Sequence, residues 1–163
     1  MRCVVVMGVA GSGKSTVGRA LARRMNATYI DGDDLHPPAN IAKMSSGQPL
    51  SDEDRAPWLN KVGETLRDHP GTCLIGCSAL KRNYRDRIRK AANEPVAFLH
   101  LGGTRSVIEA RMGARTGHFM PLALLDSQFA ALEILQTDET GVVVDIDQSF
   151  DAVVAELLAR LPQ

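Results

Sequence analysis

CVVVMGVAGSGKS, residues 3–15, runs from an unbroken apolar segment into a glycine-rich turn that closes on Lys14 and Ser15. Three consecutive valines before Gly8 predict a strand buried on both faces, because neither set of alternate positions is polar. The turn matches G-x-x-x-x-G-K-[ST], with a strand before it and a helix-forming stretch after it, the setting that gives the motif its meaning. Such a loop turns backbone amides inward around phosphate oxygens, so Gly8, Val9, Ala10, Gly11, Ser12 and Gly13 are predicted to cradle a nucleotide. Lys14 can reach the outer phosphates and the Ser15 hydroxyl can ligate Mg²⁺, while the helix start adds positive potential. Thr16 either assists the cradle or simply serves the first helical turn.

Outward from this loop, Val17, Leu21 and Met25 share one face of a helix predicted over Lys14–Met25, with Arg19, Arg23 and Arg24 turned away. Short apolar runs recur at residues 28–30, 72–77, 96–101 and 142–146, separated by stretches of helical spacing. The last helix places Phe150, Val153, Val154, Leu157, Leu158 and Leu161 on one stripe behind an N-cap at Ser149. Strands alternating with helices predict a parallel sheet covered on both faces.

A chain of 163 residues suits one domain of this kind. Its 19 basic and 19 acidic residues balance, which argues against a general nucleic-acid binder. Cys3, Cys73 and Cys77 lie in or beside apolar runs and are expected to be reduced core thiols of a cytoplasmic protein. No apolar run approaches a membrane span, and the opening lacks the layout of a secretory signal.

Two stretches interrupt the rhythm. Residues 35–50 carry Pro37, Pro38, Gly47 and Pro49 and are expected to form an inserted flap with only short helix. Residues 113–121 have the composition of a mobile covering loop.

The second strand ends on an acidic turn, Asp31-Gly32-Asp33-Asp34, at the sheet edge where ligands bind. Asp31 can organise a metal and its water, and Asp33 can orient or deprotonate an acceptor hydroxyl; alternatively the turn merely caps the next element. His36, Asn40 and Lys43 follow as possible contacts to a polyhydroxylated or anionic substrate. Ser51 begins a capped helix with Asp52, Glu53 and Asp54 in its first turn, Arg55 as a possible anion contact, and Trp58 as a packing anchor. Within CSALKRNYRDRIRK, Ser78, Lys81, Arg82 and Arg85 lie near the strand edge and can receive a carboxylate or neutralise a phosphate. Arg87, Arg89 and Lys90 read as a solvated face. Arg111 and Arg115, four apart, can project from one helical face toward a bound triphosphate, with His118 and Phe119 in the loop beyond.

Together GVAGSGKST, DGDDLHPPANIAKMSSGQPLSDEDRAPWL, CSALKRNYRD, ARTGHFMP and LLDSQFAALE closely resemble the small gluconokinase family, also called thermoresistant gluconokinases. The match spans nearly the whole chain. The resemblance implies ATP-dependent phosphorylation of D-gluconate at O6, with Mg²⁺, in a homodimer. It also implies a P-loop kinase fold similar to shikimate and nucleoside-monophosphate kinases. That fold is a five-stranded parallel sheet ordered 2-3-1-4-5, with a substrate-binding insertion near 35–65 and a lid near 113–122. It places Lys14, Ser15, Arg111 and Arg115 on the nucleotide, Ser15 and Asp31 at the metal, and Asp33 on the acceptor hydroxyl. His36, Lys43, Arg55, Lys81, Arg82 and His118 then contact the sugar acid, and residues 145–148 form an adenine-side loop.

Overall fold

The computed structural model describes residues 1–113 and 122–163. Five strands, β1 (Cys3–Met7), β2 (Thr28–Asp31), β3 (Cys73–Gly76), β4 (Val96–Gly102) and β5 (Gly141–Asp145), form a parallel sheet ordered β2-β3-β1-β4-β5. This is the expected order, and the strand ends fall within about one residue of the expected ones. Helices α1 (Lys14–Met25), α2 (Pro38–Ser45), α3 (Asp52–Asp68), α4 (Arg82–Ala92), α5 (Arg105–Gly113), α6 (Leu122–Ala131) and α7 (Phe150–Arg160) surround it.

The valine run explains the layering. Val4 and Val6 face one side, packing in a core with Leu21, Leu99, Ile108, Val153 and Leu157, while Cys3, Val5 and Met7 face a second core with Trp58, Leu59, Val62, Ile88 and Phe98. All five β1 side chains are fully buried, and each large aliphatic one contributes roughly 1.5–3 kcal/mol by leaving water. The three cysteines are buried and unpaired, as expected of core thiols.

Local signals set the helix ends. Gly13, at φ 92°, takes the left-handed conformation that starts α1, which a side chain would disfavour. Ser51 and Asp54 form a reciprocal capping box on α3, with Asp54 N–H donating to Ser51 Oγ at 3.1 Å and Ser51 N–H to Asp54 Oδ2 at 2.8 Å. Ser149 Oγ accepts from Ala152 N–H and caps α7, as its sequence predicts.

One expectation is corrected in α4. Arg85 is completely buried and is not an edge donor for substrate. It donates to both carboxylate oxygens of Glu139, at 2.7 and 2.9 Å, and to the carbonyls of Ala79 and Leu80, at 2.9 and 3.2 Å. Arg89 joins Glu139 at 2.9 Å and lies over the Phe98 ring, so it does not belong to the solvated face that Arg87 and Lys90 form. Charge pairing and backbone acceptors let a guanidinium sit in the core.

Candidate active site

At the carboxyl edge of the sheet, a cavity of about 330 Å³ is lined by the phosphate loop (Ala10, Gly11, Gly13, Lys14, Ser15), the acidic turn (Asp31, Asp33), the end of β3 (Gly76, Cys77, Ser78), and Tyr29 and Gln128. The neighbouring strand ends lock its floor: Cys77 N–H donates to Val6 O at 3.0 Å and Gly8 N–H to Ser78 O at 3.3 Å. The chain order places β1 at the centre of the sheet, where successive crossovers diverge and open a crevice.

The loop is shaped as a cradle. The N–H groups of Gly11, Gly13 and Ser15 donate to no protein acceptor among the described residues, leaving donors for an anion. Lys14 Nζ rests on the carbonyls of Gly8 and Val9, at 3.0 and 3.1 Å. Val9 contributes backbone only, its side chain being in the core. Thr16 is exposed and does not line the cavity, which favours its role in the first helical turn.

Opposite the loop, the chain from Asp31 makes a short 3₁₀ turn, Gly32–Leu35, capped by Asp31 Oδ1 on Asp33 N–H at 3.0 Å. Gly32 permits this approach to β3, since a Cβ there would sit 2.3 Å from Gly76 O. Burial, and next the negative charge of Asp31, raise the pKa of the Asp33 carboxyl. Cys77 is the reverse of a nucleophile: burial pushes its thiol up to about 12.

A 46–52% likeness joins this geometry to known proteins. A family model described as an AAA domain matches residues 3–135. The thermosensitive gluconokinase of Escherichia coli K12 is 52% identical over 147 residues, covering 88% of this chain and 78% of that protein. The thermoresistant gluconokinase of the same organism is 46% identical, covering 94% and 90%. The chain belongs to the gluconokinase family. A crystal structure of a gluconokinase from Sinorhizobium meliloti 1021 superposes with a TM-score of 0.89 at 49% identity, covering 96% of this chain and 89% of that one.

The other residues expected of a gluconokinase site divide into three groups. His36 is buried, stacks on Trp58 at 4.1 Å, and accepts at Nδ1 from Asn40 Nδ2 at 3.1 Å. Burial lowers its pKa and favours the neutral ring. Asn40 also donates to Asp54 O at 2.9 Å, and Lys43 pairs with Asp54 at 2.6 Å. These three side chains thus tie α2 onto the start of α3. Trp58 does more than pack, donating from Nε1 to Gly32 O at 2.8 Å and pinning the acidic turn.

Arg55 and Lys81 form a second group, their charges 5.5 and 5.7 Å from the ring centre of Tyr84, whose hydroxyl donates to Asp52 at 2.6 Å. Arg82 stands apart: it holds Asp138 with two bonds at 2.8 and 3.0 Å, and Asp86 at 3.0 Å. That pairing occupies it as a structural tie, contrary to the expected substrate contact.

Arg111 lies against the loop after β5. Its guanidinium donates to the carbonyls of Ile146 and of Gln148, the latter at 3.1 Å, so it orders the loop after β5 and does not line the cavity. Met112 packs over Gly11 and places the end of α5 above the phosphate loop. Arg115 and His118 lie outside the described residues, as does the expected lid near 113–122 except for its two end residues.

Sequence reasoning passed over Tyr29, Tyr84 and Gln128. Tyr29 lies under the cavity with its hydroxyl buried and Arg19 over its ring at 5.5 Å. One available signal was that Gln128 shares a helical face with Leu125, Phe129 and Leu132, all packed on the core.

Proposed function

We infer that this chain is an ATP-dependent gluconokinase, transferring the terminal phosphoryl group of ATP to O6 of D-gluconate to give 6-phosphogluconate and ADP. The single observation that carries the reading is one cavity lined by both an amide-lined phosphate loop with Lys14 and the carboxylate of Asp33, whose pKa is raised. Family membership supplies the identity of the acid.

In this reading the backbone amides of Gly11, Gly13 and Ser15, together with the Lys14 side chain, hold the outer phosphates, and Asp33 orients the O6 hydroxyl and receives its proton. A raised pKa makes the Asp33 carboxylate a better proton acceptor. Transfer then depends on alignment and charge and needs no covalent intermediate. Arg55 and Lys81, flanking Tyr84, are assigned to the gluconate carboxylate, a bidentate match for a guanidinium. His36 and Lys43 act by setting the flap against α3. Arg111 orders the adenine-side loop in the described state and, with Arg115, is assigned to the outer phosphates once nucleotide is bound; His118 is assigned to the substrate.

Mg²⁺ suits this site. Among the described residues no cluster of three or more histidine, cysteine or carboxylate side chains forms a protein cage. Such a site agrees with an ion held mainly by nucleotide phosphates and one or two protein groups. Ser15 and Asp31 are those groups, and the ion would offset charge on the outer phosphates. Residues 35–65 and 113–122 serve as substrate-binding insertion and lid of a single kinase domain. The protein works as a cytoplasmic homodimer that binds no nucleic acid. No helix among the described residues is long and apolar enough to cross a membrane.

A coupled ADP-release assay with Mg-ATP and gluconate, shikimate or nucleoside monophosphates, with the product's phosphate position read by NMR, tests the assignment. Gluconate should support the fastest turnover and carry phosphate at O6. Faster turnover with another acceptor overturns the substrate.

A further inference from the structure

The peptide unit between Val9 and Ala10 is gripped at both ends. Its carbonyl accepts from Lys14 Nζ at 3.1 Å, and its N–H donates to Gln128 Oε1 at 2.6 Å. By motif Lys14 is the loop's expected phosphate ligand; Gln128 arrives from α6, more than a hundred residues away, and lines the same cavity.

The Ala10 contact settles which way the amide faces. A backbone N–H can only donate, so the side-chain oxygen must be the atom it meets. The Gln128 Nε2 group, with its two N–H donors, is left without a hydrogen-bond partner among the described residues, and it is not sealed from solvent. An apolar side chain would fit the face that Gln128 shares with Leu125 and Phe129, so a glutamine there needs a reason.

The position within the cavity narrows that reason. The lining places Gln128, held on the loop at Ala10, in the same cavity as Lys14, Ser15, Asp31, Asp33 and Ser78. The loop after β5 that Arg111 orders contributes nothing to this lining. A group crossing from loop to carboxylate must pass through this space.

We propose that Gln128 is a ligand of the outermost phosphoryl group of a bound nucleoside triphosphate. Its oxygen is anchored on the Ala10 amide, and its NH₂ supplies a neutral donor to phosphate oxygens. This rests on the cavity taking a triphosphate, as in the preceding section, but not on which acid accepts the phosphoryl group. A neutral donor adds directionality beside Lys14 without adding a charge that would hold the product.

The test compares nucleotide binding by calorimetry, with no acceptor present, for the wild type, Gln128→Leu and Gln128→Glu. The probes are a non-hydrolysable ATP analogue and ADP, each with Mg²⁺. Gln128→Leu should weaken the analogue about tenfold, the loss expected for one hydrogen bond to a charged group, while ADP changes less than about twofold. Gln128→Glu retains an acceptor for Ala10 N–H, which protects the loop if the leucine variant misfolds. Its negative charge should weaken the analogue further still, again sparing ADP. Equal losses for both nucleotides, or analogue binding by Gln128→Glu as tight as wild type, overturn the proposal. Failure of wild-type gluconate turnover alongside selective loss of analogue binding would instead remove the acceptor assignment and support the Gln128 contact.

Discussion

The Asp31 carboxylate accepts a hydrogen bond from the Asp33 backbone N–H at 3.0 Å, so one acidic side chain shapes the turn that presents the other. The same closeness sets Asp33's chemistry, because burial first and the Asp31 charge second favour its protonated form. An Asp33 carboxylate needed in its ionised form should therefore give kcat/KM an acid limb above the ordinary aspartate range. Asp31→Asn keeps an oxygen for the cap and removes the charge, so the limb should move to lower pH. An unmoved limb would mean that another group controls it.

Asp33→Asn should lower kcat by about 10²–10⁴-fold, the range for losing a positioned proton acceptor, with ATP affinity nearly unchanged. Steady-state kinetics alongside nucleotide titration check this. Wild-type gluconate kinetics in this variant would reject Asp33 as the acceptor-orienting group.

Lys14→Ala should reduce kcat by roughly 10²–10³-fold, comparable to removing one preorganised electrostatic contact. Thermal melting should show a largely intact fold, since Lys14 lines the cavity with its ammonium on the Gly8 and Val9 carbonyls. Near-normal turnover would remove Lys14 from the chemistry.

Arg85 carries a structural prediction. Arg85→Ala leaves Glu139 buried without its main partner and releases the Ala79 and Leu80 carbonyls, at a cost of about 3–5 kcal/mol in urea unfolding. The non-glycine Ala79 sits at φ 46°, a strained geometry that these bonds hold. Pairing Arg85→Met with Glu139→Leu should recover part of the loss. Unchanged stability with a raised gluconate KM would return Arg85 to the substrate.

His100 supplies a pH signature. It is buried on β4 with Nδ1 unpartnered, and burial, then the charges of Arg85 and Lys14, push its pKa down from 6.5 to about 4. The unfolded chain therefore binds the proton more readily. Stability should be fully present above about pH 6.5 and fall as pH drops toward 4, by up to about 3 kcal/mol. His100→Phe should flatten that part of the stability–pH curve; an identical slope would show that other groups govern it.

The sheet was legible because its determinants are local. Val4–Val6 can be satisfied only by two covered faces, and the glycine loop must follow such a strand. Ser51, Asp54 and Ser149 declare helix starts within four residues. Side chains whose partners lie far along the chain were not legible: Arg85 and Glu139 are 54 positions apart, Ala10 and Gln128 are 118 apart. A basic residue beside a strand end looks alike whether it faces substrate or Glu139, and only packing separates the two. His36 and Lys43 show the same limit, since nothing in their spacing reveals that Asn40 and Asp54 engage them.

A crystal structure with a non-hydrolysable ATP analogue, Mg²⁺ and D-gluconate tests most directly whether donor and acceptor meet across this cavity. The account predicts the outer phosphate against Gly8–Ser15 and the gluconate C6 hydroxyl hydrogen-bonded to Asp33. Gluconate seated elsewhere, or turned with O6 away from Asp33 and the outer phosphate, would contradict it.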